Sequence, residues 1–118
     1  MIIDIIAGAR PNFMKIAPLL KTINQDRVIK KKYKIRLIHT GQHYDKNMSH
    51  DFFRDLEIQL PDHNLGCKSM SRTRQIDKIM IEYEKILLKK TSYACIVVGD
   101  VNSTIACALT AKKMGIKI

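Results

Sequence analysis

Three clusters in this 118-residue sequence have residue types and spacing suited to chemistry on a charged small molecule. An apolar run over residues 1–6 stops at Ala7-Gly8-Ala9-Arg10-Pro11 and passes through Asn12-Phe13-Met14-Lys15 into a helical pattern. A glycine where a strand turns into a helix lets backbone N–H groups face an anion, and an arginine beside it can grip two phosphate oxygens at once. That arrangement suits a nucleotide diphosphate. The alternative is a surface arginine at an ordinary turn, since the segment is neither a P-loop nor a GxGxxG fingerprint. A second apolar run, residues 94–98, ends in Gly99-Asp100-Val101-Asn102-Ser103-Thr104. Asn102 and Ser103 can cap the next helix themselves, which leaves the Asp100 carboxylate free for chemistry at the strand end; a plain N-cap role is the alternative. The third cluster is Thr40-Gly41-Gln42-His43-Tyr44, where His43 is either a ligand-facing imidazole or a solvent-facing loop residue.

These clusters need a scaffold that brings them to one place. Strand-like and helix-like patterns alternate from the first residue, which predicts right-handed βαβ units: a doubly wound, Rossmann-like α/β fold with a parallel sheet covered on both faces. Turns at the carboxyl ends of such strands open onto a common crevice. Phe13, Ile16, Leu20 and Ile23 form a helical stripe that Pro18 should kink without ending. Residues 34–40 read as the second strand, and Asp45 as the N-cap of a short helix bearing Met48, Phe52, Phe53 and Leu56. Residues 61–71 read as loop, 73–89 as a long amphipathic helix, and 103–114 as a helix rich in small residues that can sit close against a sheet. Residues 115–118 read as the opening of a further strand after a glycine stop, so the expectation is one incomplete domain.

Composition removes several function classes. The formal charge of +10 invites a nucleic-acid reading, but the lysine runs 30–32 and 89–90 fall at helix ends, and aromatic residues make up only 6% of the chain. Cations there complement the helix dipole, and no aromatic stacking surface accompanies them, so no nucleic-acid partner is expected. Cys67, Cys95 and Cys107 lack metal-ligand spacing, and two of them fall inside apolar stretches where a reduced thiol packs as a small hydrophobe, hence the expectation of a cytoplasmic protein. His39 lies within a strand and reads as packed; His50 and His63 read as surface residues. No apolar stretch reaches the ~18 residues of a membrane span, Asp4 interrupts the first, and neither a membrane partner, a metal nor a cofactor is expected.

Taken together, Gly8-Ala9-Arg10-Pro11 with Met14-Lys15 and Ala17-Pro18-Leu19, then Thr40-Gly41-Gln42-His43, then Val98-Gly99-Asp100-Val101-Asn102-Ser103-Thr104, resemble the non-hydrolysing UDP-N-acetylglucosamine 2-epimerases. The blocks stand in the family's order and spacing over nearly the whole chain. The resemblance implies the first part of a two-domain glycosyltransferase B type fold, truncated, with the second domain absent and a UDP-sugar bound in the interdomain cleft. It implies an isomerase of polysaccharide-precursor synthesis that interconverts UDP-N-acetylglucosamine and UDP-N-acetylmannosamine by elimination and re-addition of UDP. By resemblance, Arg10 contacts phosphate, with Lys15 and Gly8 nearby; Asp100 is catalytic; Gln42 and His43 help bind a second UDP-sugar as an allosteric activator. Full-length members are expected to be homodimers, and this chain alone to be inactive. At Ser71-Arg72-Thr73-Arg74-Gln75-Ile76, arginines and isoleucine replace the His, Glu and Thr of many relatives. The alternatives are a non-catalytic nucleotide-binding or interaction module, and a hydrolysing epimerase that releases N-acetylmannosamine.

Overall fold

The computed structural model describes residues 1–41, 50–67, 71–99 and 101–118. In chain order the elements are β1 (Ile2–Ala7), α1 (Arg10–Gln25), α2 (Arg27–Lys32), β2 (Lys34–His39), α3 (His50–Asp55), β3 (His63–Asn64), α4 (Arg72–Lys89), β4 (Ala94–Ile96) and α5 (Asn102–Lys113). The sheet order is β3-β2-β1-β4, and every pairing is parallel. β1 runs along β2 from Ile2↔Lys34 to Ala7↔His39 and along β4 from Ile3↔Ala94 to Ile5↔Ile96. Strand order reverses at β1, which opens a crevice beyond the carboxyl ends of β1 and β4. The doubly wound α/β reading is therefore correct.

Period-two alternation divides the interior into two cores. Ile5, Ala7 and Leu37 face Phe13, Ile16, Leu20 and Ile23 of α1 and Phe52 and Phe53 of α3. Ile6, Ile38 and Cys95 face Ile79, Tyr83 and Leu87 of α4 and Ala106, Cys107 and Ala111 of α5. Ala106, Cys107 and Ala111 of α5 are fully buried, as close packing on a sheet requires.

Several local expectations need correction. Residues 61–71 are not all loop, because His63 and Asn64 extend the sheet as β3 beside Ile38 and His39. A separate helix, α2, follows α1: Asp26 ends the first and caps the second, its carboxylate accepting from the N–H groups of Val28 (3.0 Å) and Ile29 (3.1 Å). The 94–98 strand is shorter, ending at Ile96. α1 does continue through Pro18, and Lys117 forms a parallel bridge with Ala94 on the free edge of β4. The proposed Asp45 cap lies outside the described residues. No described helix is long and apolar enough to cross a membrane.

Candidate functional site at the carboxyl rim of the sheet

The rims of β2, β1 and β4 are neighbours, so the segments that follow them share one end of the sheet. Arg10 is the first residue of α1, exposed, with its guanidinium carbon 5.0 Å above the ring centroid of Phe52. Among the described residues it forms no salt bridge. Lys15 is exposed on the same helix and likewise makes no ion pair among the described residues. A free cation at a sheet rim is available to an anionic ligand.

The expectation that the Gly8 turn offers its N–H groups to that anion is corrected. Asn12, 4% exposed, folds its side chain back so that Oδ1 accepts from both Gly8 N–H and Ala9 N–H, each at 3.0 Å. This is half of a capping box: the third helical residue satisfies the N-cap donor, while the N-cap itself is an alanine without a side-chain acceptor. The turn is thus held internally, and the cationic side chains are left to meet a ligand.

Asn12 also marks where the two turns approach. Gly99 has φ +78°, and a Cβ placed there would lie 3.1 Å from Asn12 Nδ2. The segment after β4 therefore passes against the first turn of α1, and the positive φ favours glycine there, with little room for a side chain. Asp100, Gln42 and His43 lie outside the described residues.

Asn102 and Ser103 do not cap α5 as expected. The N-cap is Val101, whose carbonyl accepts from Thr104 N–H, and Thr104 Oγ1 donates to the Val98 carbonyl at 2.8 Å. Asn102 Nδ2 instead donates to Gln75 Oε1 and Gln75 Nε2 to the Cys67 carbonyl, both at 2.7 Å, while Ser103 Oγ lies 2.7 Å from Thr40 Oγ1. These contacts stitch the start of α5 to the start of α4 and the end of β2. Buried polar groups left unpaired would be costly, so the partly enclosed rim draws these side chains away from the helix terminus. Asn12, Thr40 and Gln75 stood in the sequence only as members of longer motifs, with no role of their own. An amide at the third helical position after an alanine was the one available signal for Asn12.

His39 is buried beside the same rim, edge-on to Phe13 at 5.1 Å. Burial lowers its pKa below the ordinary 6.5, against a smaller opposing pull from the Ala7 carbonyl. The Gly41 N–H donates to Nδ1 at 3.2 Å, which suits a neutral ring. The unfolded chain binds a proton near pH 6.5 that the folded chain declines, so this contribution is complete above 6.5 and is lost as pH falls toward the lower folded value. Urea unfolding at pH 7.5 and 5.5 should show a stability loss of up to about 1.4 kcal/mol per pH unit in this window that His39→Gln lacks.

The cysteines offer no nucleophile. Burial pushes Cys95 up to about 11, and raises Cys67 and Cys107 as well, so all three are protonated thiols near neutrality. Among the described residues no group of three or more His, Cys, Asp or Glu could hold a metal. A cavity of about 600 Å³ lies away from this rim, beside α4, lined by Ile2, Lys34, Arg36, His63, Lys89 and others.

Comparison with known proteins agrees with this fold. The UDP-N-acetylglucosamine 2-epimerase family matches residues 27–118. A UDP-N-acetylglucosamine 2-epimerase of Methanococcus maripaludis is 40% identical over 116 residues, 98% of this chain and 30% of that protein. A UDP-2,3-diacetamido-2,3-dideoxy-D-glucuronate 2-epimerase of Pseudomonas aeruginosa is 36% identical over 113 residues, 96% of this chain and 31% of that protein. The crystal structure of the Methanocaldococcus jannaschii UDP-GlcNAc 2-epimerase in complex with UDP-GlcNAc and UDP superimposes with a TM-score of 0.88 at 36% identity, over 98% of this chain and 31% of that one. The chain thus spans about 30% of the length of the relatives it matches.

Proposed function

The chain belongs to the UDP-N-acetylglucosamine 2-epimerase family, and from that premise we propose that it forms the front of the first, Rossmann-like domain of such an enzyme, with the diphosphate of a UDP-sugar bound at the rim that carries Arg10. The reaction inverts carbon 2 of the sugar. A base removes the C2 proton, the C1–O bond to UDP breaks to leave a glycal, and UDP returns to C1 after a proton is delivered to the other face of C2. The departing diphosphate needs fixed cations, which is the role assigned to Arg10, with Lys15 adding to the local positive field. Asp100 is assigned a part in moving the proton. Gln42 and His43 are assigned to a second, activating UDP-sugar.

The observation that carries this reading is the Arg10 guanidinium, without an ion-pair partner among the described residues, on the strand rim next to the one that leads, through Gly99, to Asp100. On the same reading residues 1–118 supply one side of a cleft, so the chain alone binds without turning over. The Pseudomonas aeruginosa relative supports a broader substrate reading, because its name gives a different sugar at a similar level of identity. Both relatives' names share a UDP-linked 2-acetamido sugar, and that is the substrate class proposed.

Calorimetry with UDP tests this. The unaltered chain should bind UDP, Arg10→Ala should weaken it about 10- to 100-fold through loss of a charge-assisted contact, and no epimerisation should accompany binding. No heat at millimolar UDP would favour a non-catalytic remnant of the fold, and turnover by the chain alone would refute its assignment as one side of a cleft.

A further inference from the structure

We propose that Phe52 is a positioning residue: an aromatic platform on α3 that aims the Arg10 guanidinium at the ligand before the ligand arrives. The inference rests on the diphosphate reading of Arg10. Three features of the structure support it.

The first is which part of Arg10 is occupied. Its guanidinium lies over the ring of Phe52, 5.0 Å from the centroid, and has no carboxylate partner among the described residues. A cation over a ring face is held by the ring's quadrupole and needs no hydrogen-bond acceptor, whereas a salt bridge would consume the guanidinium's donors. The ring contact holds the cation with no donor committed to a carboxylate among the described residues, so the fork remains available to two phosphate oxygens.

The second is how firmly the platform is set. Phe52 is only 8% exposed, and it meets Phe13 edge-on at 6.3 Å and Phe53 edge-on at 5.4 Å. Phe13 is fully buried, three residues beyond Arg10 on α1, and in turn meets His39 at the end of β2. Edge-to-face contacts fix ring planes as well as positions. The Phe52 ring is therefore referenced to α1 and to the sheet rim, not to a surface side chain.

The third is what an unsupported Arg10 would do. Its side chain leaves an exposed first helical position and would otherwise sample many rotamers. Ordering such a side chain at the moment of binding reduces affinity, and holding it beforehand removes that cost. Phe52 lies on a different element from Arg10, so α3 acts on the ligand without touching it.

The test combines a spectroscopic reading with a binding cycle on the whole chain. In NMR of the ligand-free protein, the ring current should shift the Arg10 side-chain resonances upfield of those of exposed Arg27; Phe52→Leu should abolish the shift and Phe52→Tyr should keep it. In UDP titrations, Phe52→Leu should weaken binding about tenfold when Arg10 is present and leave it unchanged in Arg10→Ala, with Phe52→Tyr near the parent. An unshifted Arg10, or an equal loss in both backgrounds, overturns the proposal, since the latter is what general damage to packing would produce. Failure of the parent chain to bind UDP refutes the diphosphate reading and with it the purpose of the platform, while the ring-current result separately decides whether the stack exists.

Discussion

Asp4→Ala should lower the unfolding free energy by about 3–5 kcal/mol, measured by urea titration at neutral pH. Asp4 is completely buried in the middle of β1, and its carboxylate takes two donors from Arg36, Nε at 2.5 Å and Nη2 at 2.9 Å, and a third from the Tyr83 hydroxyl at 2.7 Å. Arg36 sits opposite it in β2 and also donates Nη1 to the Lys90 carbonyl at the end of α4, 3.0 Å away. The cluster thereby fastens α4 to the two central strands. Burial, then the nearby Cys95 and Asp4, holds the Tyr83 hydroxyl far above its ordinary pKa, so it remains a donor. Removing the carboxylate strands a guanidinium and a phenol in the interior. Replacing the cluster as a whole is different: Asp4→Leu with Arg36→Met and Tyr83→Phe leaves only the Lys90 carbonyl, on an exposed residue that water can satisfy, and should recover most of the loss. A single-variant cost below about 1 kcal/mol would show that the buried ions relax to solvent.

That cluster also marks the limit of what the sequence displayed. Charged residues interrupting two apolar runs, Asp4 and Arg36, were visible, but their facing each other depends on strand register, which is set between elements rather than within them. Apolar runs made β1 and β2 legible, helical stripes made α1 and α4 so, and a run of small residues marked α5. β3 has two residues, too few for any period, and α2 rests on one Asp26 cap inside a run that looked like a helix end. At the candidate site, the exposed position of Arg10 at the start of α1 was legible from its place after a strand. The reading of the Gly8 N–H groups was not sound, because a side-chain amide four residues away competes for them and its folding back is a property of the turn in three dimensions. The Arg10–Phe52 stack joins residues 42 apart in sequence, beyond any local pattern.

Asn12 separates holding the turn from binding the ligand, and two substitutions there should have opposite profiles. Asn12→Ala leaves two buried donors, the N–H groups of Gly8 and Ala9, without an acceptor, and should destabilise the fold by about 2–6 kcal/mol at about 1–3 kcal/mol per orphaned group. Asn12→Asp keeps an oxygen in the same place, makes it a stronger acceptor, and puts negative charge in the first turn of α1, where the helix dipole favours it. Stability should stay within about 1 kcal/mol of the parent. The same charge, however, sits behind the rim where the diphosphate is proposed to bind. A carboxylate about 5 Å from a phosphate charge, at an effective dielectric of about 20, repels it by about 3 kcal/mol, so UDP affinity should fall by about a hundredfold. Urea titration and calorimetry on the two variants read the two effects separately. If Asn12→Asp bound UDP as the parent does, the ligand would lie elsewhere than at the start of α1, and the assignment of Arg10 would fall with it.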